Sequence, residues 1–154
     1  IKTLDPYLQK FGLKTIDQYL KQMKFQKIGK FFIRKNQFIV EYDQKFSSSE
    51  QMIYIHVIDN EILRVGSSKN KLKYRMERWE KDVTKLLNIK NTDRTFNEGD
   101  EWKNLLKNKT GTLYGRQGTV IKTPIGKINI YLSEESNLIG RHQPIMCKDR
   151  SRYK

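Results

Sequence analysis

A carboxylate, a phenol and two guanidinium groups carry most of the chemistry this chain can offer. Glu135 is followed by Leu138, Ile139 and His142 at helical spacing, so a helix there presents a half-buried carboxylate where a hard cation can bind. The same residue also suits a bland surface position near a helix N-terminus, where the dipole favours negative charge. Arg75 offers a planar fork of donors that matches a phosphate oxygen. Alternatively, its stem packs on Trp79 and its head stays in water. Arg64 cannot be a base, because guanidinium stays protonated, which leaves it to bind phosphate or position water. Tyr54 and His56 alternate along an apolar run, and His56 reads either as a proton donor or as a neutral strand residue. His142 reads as a helix-end residue. Phosphodiester hydrolysis needs an activated water, stabilised phosphoryl oxygens and help for the departing oxygen, and this residue set addresses those needs.

Any metal must be held mainly by carboxylates. Cys147 is the single cysteine, which excludes an intrachain disulfide, and His56 and His142 cannot complete a zinc cage with it at any usual spacing. Oxygen ligands point to magnesium or manganese. The formal net charge of +14 over 154 residues is spread along the length rather than gathered in a tail, so a polyanion is the natural partner. No segment reaches the roughly 20 apolar residues of a spanning helix, and no apolar signal core opens the chain. Nucleic acid is therefore favoured over a membrane surface, and a cytoplasmic location is expected. The length suffices for one core and not for two full domains. The chain begins at Ile1 rather than at methionine, as a trimmed chain or a piece of a longer one would.

Several elements must position these groups. Asp5-Pro6 opens a first helix that Gly12 stops, and a second runs from about Thr15 to Met23. Phe31 to Ile33 and Phe38 to Val40 flank a tight turn, and Ser47 to Ser49 read as a short linker. Met52 to Ile58 and Ile62 to Gly66 form a second hairpin. A three-residue loop there puts Ile53, Ile55, Val57, Leu63 and Val65 on one face and Tyr54, His56 and Arg64 on the other. Leu72, Met76, Trp79, Val83 and Leu86 mark the apolar stripe of a helix with Arg75 at its edge. Residues from about 88 to 111 read as a polar insertion with one amphipathic piece around Trp102, Leu105 and Leu106. Thr119 to Ile121 and Lys127 to Leu132 read as strands, and a helix follows from about Glu134 to His142, stopped by Pro144.

The order of hairpin, Gly-Ser-Ser loop, arginine-bearing helix, strand and glutamate-bearing helix resembles the GIY-YIG nuclease family. Met52-Ile53-Tyr54 stands where the family has Gly-Ile-Tyr, and Arg64-Val65-Gly66, ten residues on, where it has Tyr-Ile/Val-Gly. Ser67 to Arg75 looks like the family's serine, Asn-Leu and helix arginine run. Glu135-Ser136-Asn137-Leu138-Ile139, with Pro144 nine residues after the glutamate, resembles its Glu-x-x-Leu-Ile stretch. These matches span roughly residues 52 to 147. There are departures: Trp79 stands where many members have histidine, and Cys147 where an asparagine often follows the proline. Arg64 in place of the second tyrosine leans towards the restriction enzymes of the family, some of which carry lysine there.

The resemblance implies an α+β fold with a central antiparallel sheet flanked by helices. It implies a DNA endonuclease in which Glu135 holds one Mg2+ or Mn2+ ion, Tyr54 accepts or orients the proton of the attacking water, and Arg64, Arg75 and His56 complete the site. Residues 50–154 would be the nuclease domain, and residues 1–49 an extension that embraces DNA or pairs two copies. A homodimer suits a palindromic site. Lys69, Lys71 and Lys73 beside the site, and Arg116, Lys122, Lys127, Arg141, Lys148, Arg150 and Arg152 in the C-terminal half, would mostly touch phosphates of double-stranded DNA. Ser67 and Ser68 would bond phosphate or simply cap the next helix. Tyr114 to Gly118 contains Arg116 and Gln117, which suit guanine and adenine edges, so it is either a base-reading loop or a plain surface turn. A restriction enzyme of prokaryotic or phage origin is expected. The alternatives are a homing or phage endonuclease, or a basic nucleic-acid binder without catalysis. Glu101-Trp102-Lys103 also fits half of another restriction motif, but that motif needs a core strand.

Overall fold

Two pairs of residues with positive φ fold strands back on themselves: Lys35 and Asn36 at 51° and 59°, Asp59 and Asn60 at 51° and 62°. Two consecutive left-handed residues make the turn whose twist suits an antiparallel hairpin, and asparagine tolerates it well. The first pair joins β1 (Gln26–Arg34) to β2 (Gln37–Tyr42), and the second joins β3 (Met52–Ile58) to β4 (Glu61–Ser68). The structure, a computed structural model, describes residues 5–89 and 97–154.

The β3–β4 turn thus spans two residues where the sequence predicts three, with Ile58 opposite Glu61. A bulge repairs the register. Val57 faces Ile62 but His56 faces Arg64, which leaves Leu63 as the extra residue. Beyond the bulge the pairing is that of the three-residue loop, Ile55 opposite Val65 and Tyr54 opposite Gly66. Leu63 itself is a correction: it packs with Tyr54 rather than with Ile53, Ile55, Val57 and Val65. Without the bulge, Arg64 would oppose Ile55 and lie on the wrong face.

β5 (Gly111–Gln117) is the middle strand of an antiparallel five-stranded sheet in the order β2-β1-β5-β3-β4. Tyr114 to Gln117 are therefore neither a loop nor a surface turn. Gly115 serves close packing, since a Cβ there would lie 2.6 Å from Ile28 Cδ1. The division expected at residue 49 falls inside this sheet: β1 is hydrogen-bonded to β5, with Lys30 opposite Thr112 and Gly29 opposite Leu113.

Helices cover both faces. On one, α2 (Ile16–Gln22) and α5 (Tyr131–His142) pack Tyr19, Leu20, Leu138 and Ile139 against Ile53, Ile55, Val57 and Val65, with α1 (Asp5–Lys10) alongside. On the other, α3 (Leu72–Leu87) buries Leu72, Met76, Trp79 and Val83 of the expected stripe and leaves Leu86 half-buried. Ser47 and Ser49 are more than a linker, because their carbonyls accept from Lys73 N and Leu72 N at 3.0 and 2.9 Å and so close the first turn of α3. α5 starts at Tyr131, earlier than expected, because Asn129 Oδ1 accepts from Tyr131 N at 3.0 Å. β6 (Val120–Thr123) and β7 (Gly126–Asn129) form a separate two-stranded ribbon. No helix among the described residues is long and apolar enough to cross a membrane.

The segment expected as a polar insertion contributes to the core. Residues 90–96 lie outside the described residues, but α4 (Glu98–Leu105) carries Trp102 into full burial, 5.7 Å from Phe31, 5.8 Å from Phe38 and 5.6 Å from Trp79 between ring centroids. Trp102→Ala is expected to lower stability by about 3 to 5 kcal/mol in urea unfolding. A loss below about 1 kcal/mol would mean that α4 is only loosely docked.

Candidate active site

The site begins at a close approach. Tyr54 on β3 is fully buried and its ring lies over Gly66, where a Cβ would come within 2.5 to 2.7 Å of the ring and hydroxyl. Only glycine leaves room there. The Tyr54 hydroxyl accepts from Arg75 Nε on α3 at 2.8 Å, so its own proton can point elsewhere. Arg64, opposite His56 on β4, lays its guanidinium 5.9 Å from the ring centres of both Tyr54 and Trp79. Its Nη1 is buried and meets no hydrogen-bond partner among the described residues. A buried cationic donor in that state is costly until an acceptor arrives.

β4 is an edge strand, and the site is built around that edge. Arg75 reaches it from the helical layer on one face and Glu135 from α5 on the other. Ser67, at the end of β4, donates its hydroxyl to Glu135 Oε1 at 2.9 Å. Oε2 has no hydrogen-bond partner among the described residues. Burial pushes the Glu135 carboxyl above the usual range, and the Ser67 hydroxyl with the Arg64 and Arg75 charges only partly offsets it. Arg64, Gly66, Ser67, Arg75, Glu135 and Cys147 line one cleft of about 260 Å³. Burial also raises the Cys147 thiol.

The structure thus brings Tyr54, Arg64, Arg75, Ser67 and Glu135 together. His56 stands apart from the cleft. It is fully buried behind Tyr54, 4.0 Å from the Trp79 ring and 5.2 Å from Phe31. Burial and the Arg64 charge hold its imidazole well below the ordinary range, so it is neutral. Of its two readings, the neutral strand residue is the one these surroundings favour.

Ser68, though largely buried, joins Ser67, Lys69, Lys71, Arg75 and Arg78 in lining an adjoining hollow of about 220 Å³. Lys73 is half-buried on the same helix. Arg78 was not among the expected contacts, although its spacing of three from Arg75 and four from Tyr74 places it on their helix face. Glu98, Asp149 and Tyr153 also line the cleft, and no periodicity marks them in sequence.

Arg116 is committed within the protein and does not project as a base reader. Its Nη2 meets Glu134 Oε2 at 2.5 Å, its Nε donates to Met23 O at 2.9 Å, and its guanidinium covers the Phe25 ring. Glu134 also accepts from Thr119 N and Oγ1 at 2.7 and 2.9 Å. Burial alone would raise the Glu134 carboxyl, but Arg116 and Thr119 outweigh it and hold the pKa below the usual range. Gln117 donates to Glu50 O at 3.2 Å. Lys122 is exposed on β6, and Arg141 donates to Tyr19 Oη and Asn137 Oδ1 at 3.2 and 3.1 Å. Lys148 is paired with Glu101 at 2.5 Å, and the Glu101-Trp102-Lys103 triplet lies on α4, away from any strand.

His142 fastens α5 to α2 through a 2.8 Å bond between its Nε2 and Tyr19 Oη. Burial, helped by the adjacent Arg141 charge, pushes its pKa down to about 4 from 6.5. A depressed histidine pKa contributes stability that is complete above the unfolded value and is lost as pH falls towards the folded one. About 2 kcal/mol should therefore disappear between neutral pH and pH 5. Urea unfolding of wild type and His142→Gln across that range checks this, and parallel pH profiles would sink it.

Among the described residues no cluster of three or more His, Cys, Asp or Glu side chains could hold a metal. A cation at Glu135 would draw its other ligands from water and phosphate, as magnesium commonly does. A half-buried carboxylate with raised pKa and one free oxygen fits that role.

No protein-family model matches the chain, and no curated protein does. Among solved structures, a restriction endonuclease in complex with product DNA aligns at a TM-score of 0.44 and 15% identity, over 88% of this chain and 87% of that chain. Bacteriophage T4 EndoII aligns at a TM-score of 0.58 and 16% identity, over 86% of this chain and 98% of that chain. The chain has the fold of that phage protein, an α+β domain with a five-stranded antiparallel sheet flanked by helices.

Proposed function

We propose that this chain is a divalent-metal-dependent DNA endonuclease of the GIY-YIG type, of the restriction class, hydrolysing phosphodiester bonds in double-stranded DNA. The observation that carries this reading is the meeting of Arg64, Arg75 and the Ser67-bonded Glu135 at one cleft on the β4 edge, with the buried Tyr54 hydroxyl bonded to Arg75 behind it. The fold shared with bacteriophage T4 EndoII and the net charge of +14 support it.

In this reading Glu135 holds one Mg2+ or Mn2+ ion, with Ser67 fixing the carboxylate's orientation. When bound there, such an ion would neutralise phosphate charge and ease the ionisation of water. Tyr54, with its oxygen already engaged by Arg75, orients the attacking water; to accept the water's proton instead, it must first give up its own. Arg64 offers its unspent Nη1 to a phosphoryl oxygen, and Arg75 holds Tyr54 while facing the hollow lined by Lys69, Lys71 and Arg78. Those side chains grip phosphates and set the duplex in place without reading sequence. Two copies related by a two-fold axis would match a palindromic site.

The test is cleavage of a panel of plasmids with Mg2+ or Mn2+. Wild type should cut at defined positions. Gel shifts with every plasmid and nicks with none, under both ions, would replace the enzyme with a simple DNA binder.

A further inference from the structure

The β6–β7 ribbon stands apart from the sheet with both strands largely solvent-exposed, and a free two-stranded ribbon is marginal in water. Its root is firmly held. Gly118 N donates to Gln51 O at 2.9 Å, Ile130 N to Thr119 O at 2.8 Å, and Thr119 is bonded to Glu134, the neighbour of Glu135. Its tip is also built. Thr123 Oγ1 donates to Gly126 O at 2.8 Å and accepts from Ile125 N at 3.3 Å, so Pro124 and Ile125 form a set turn. At that tip Ile125 is 89% exposed, an apolar side chain held out into water.

Just behind the tip, Lys122 and Lys127 are directly opposite each other, and neither has an ion-pair partner among the described residues. Like charges directly across a ribbon are unfavourable. A polyanion relieves that repulsion. A symmetric contact with a second copy would instead bring the same lysines together twice over. Apolar side chains on basic arms can enter a base step from the minor groove and unstack it.

We propose that the Pro124-Ile125 tip is a wedge that enters a base step of the duplex DNA bound at the cleft, with Lys122 and Lys127 on the flanking phosphates. This rests on the endonuclease reading and adds a DNA-deforming element to it. Because the ribbon is rooted on Glu134, the wedge is placed relative to Glu135 by a short, hydrogen-bonded path.

Permanganate footprinting tests it, since unstacked thymines become hyper-reactive. Intact wild type is bound to plasmid DNA in EDTA, which permits binding without cleavage. Hyper-reactive thymines are expected with wild type and should fall at least about fivefold with Ile125→Ala, while gel-shift affinity stays within about threefold. Lys122→Gln with Lys127→Gln should reduce the salt dependence of binding by nearly two units of slope. Bound DNA with no hyper-reactive thymines, or the same thymines with Ile125→Ala, overturns the wedge and leaves the endonuclease reading standing. A dimer that Ile125→Asp converts to monomer also overturns it and assigns the tip to a second copy. Wild type that neither binds nor cuts any plasmid removes both.

Discussion

Replacing Glu135 with glutamine is expected to lower strand cleavage by about 100-fold to 1,000-fold while leaving the protein as stable as wild type or slightly more so. The catalytic half follows from charge. Glutamine keeps the volume and can still accept from Ser67, but it brings no negative charge to a cation, and a single electrostatic group at such a site is worth that much in rate. The stability half follows from the raised pKa. A carboxyl whose pKa is higher in the folded state ionises more readily when unfolded, so above that pKa its charge favours unfolding. Neutralising it removes the penalty. Natural sites hold such residues for function at a cost to the fold. Single-turnover cleavage and thermal melting of the same preparation check both halves, and cleavage within about threefold of wild type would remove Glu135 from the site. Tyr54→Phe is a companion variant that keeps the ring over Gly66 and deletes only the hydroxyl bonded by Arg75.

Gly66→Ala is the second large effect. One methyl group would overlap the Tyr54 ring, and it cannot escape because β3 and β4 are paired at that residue. Either the ring swings and breaks its 2.8 Å bond to Arg75, or the hairpin parts. Overpacking of this kind costs about 1 to 3 kcal/mol. Cleavage should fall by about 100-fold or more, since a misplacement near 1 Å has that effect. A double-mutant cycle identifies the cause. Gly66→Ala combined with Tyr54→Leu should destabilise by less than the sum of the single changes, because the smaller side chain removes the clash. Strict additivity would mean that the two residues do not press on each other.

The parts of the site set by local pattern were legible in sequence, and the parts set by distant partners were not. Period-two alternation put Tyr54 and Arg64 on one face, and the apolar stripe of α3 placed Arg75 at its edge. Leu63 was misplaced because the short turn and the bulge compensate, so the register beyond them looks like that of a longer loop. β5 was disguised by glycines and polar residues that make sense only between two neighbouring strands. Trp102 reads in sequence as part of a short amphipathic piece within a polar insertion, because the cluster that receives it comes from the distant β1, β2 and α3. Arg116 has the chemistry of a base reader, and its partner Glu134, 18 residues away, gives no local sign of claiming it.

The position of β5 also governs the order in which the molecule can be assembled. The sheet's middle strand is the last of its five in the chain, and the two earlier hairpins touch in the sheet only through it. Until residue 117 is available, β1 and β3 each expose an unpaired edge, the kind of surface that recruits other chains during synthesis. Closure joins partners far apart in sequence, which makes it an entropically expensive and slow event. The cleft forms only after that closure, because α5 follows β5, so no shorter nascent chain can carry a complete site.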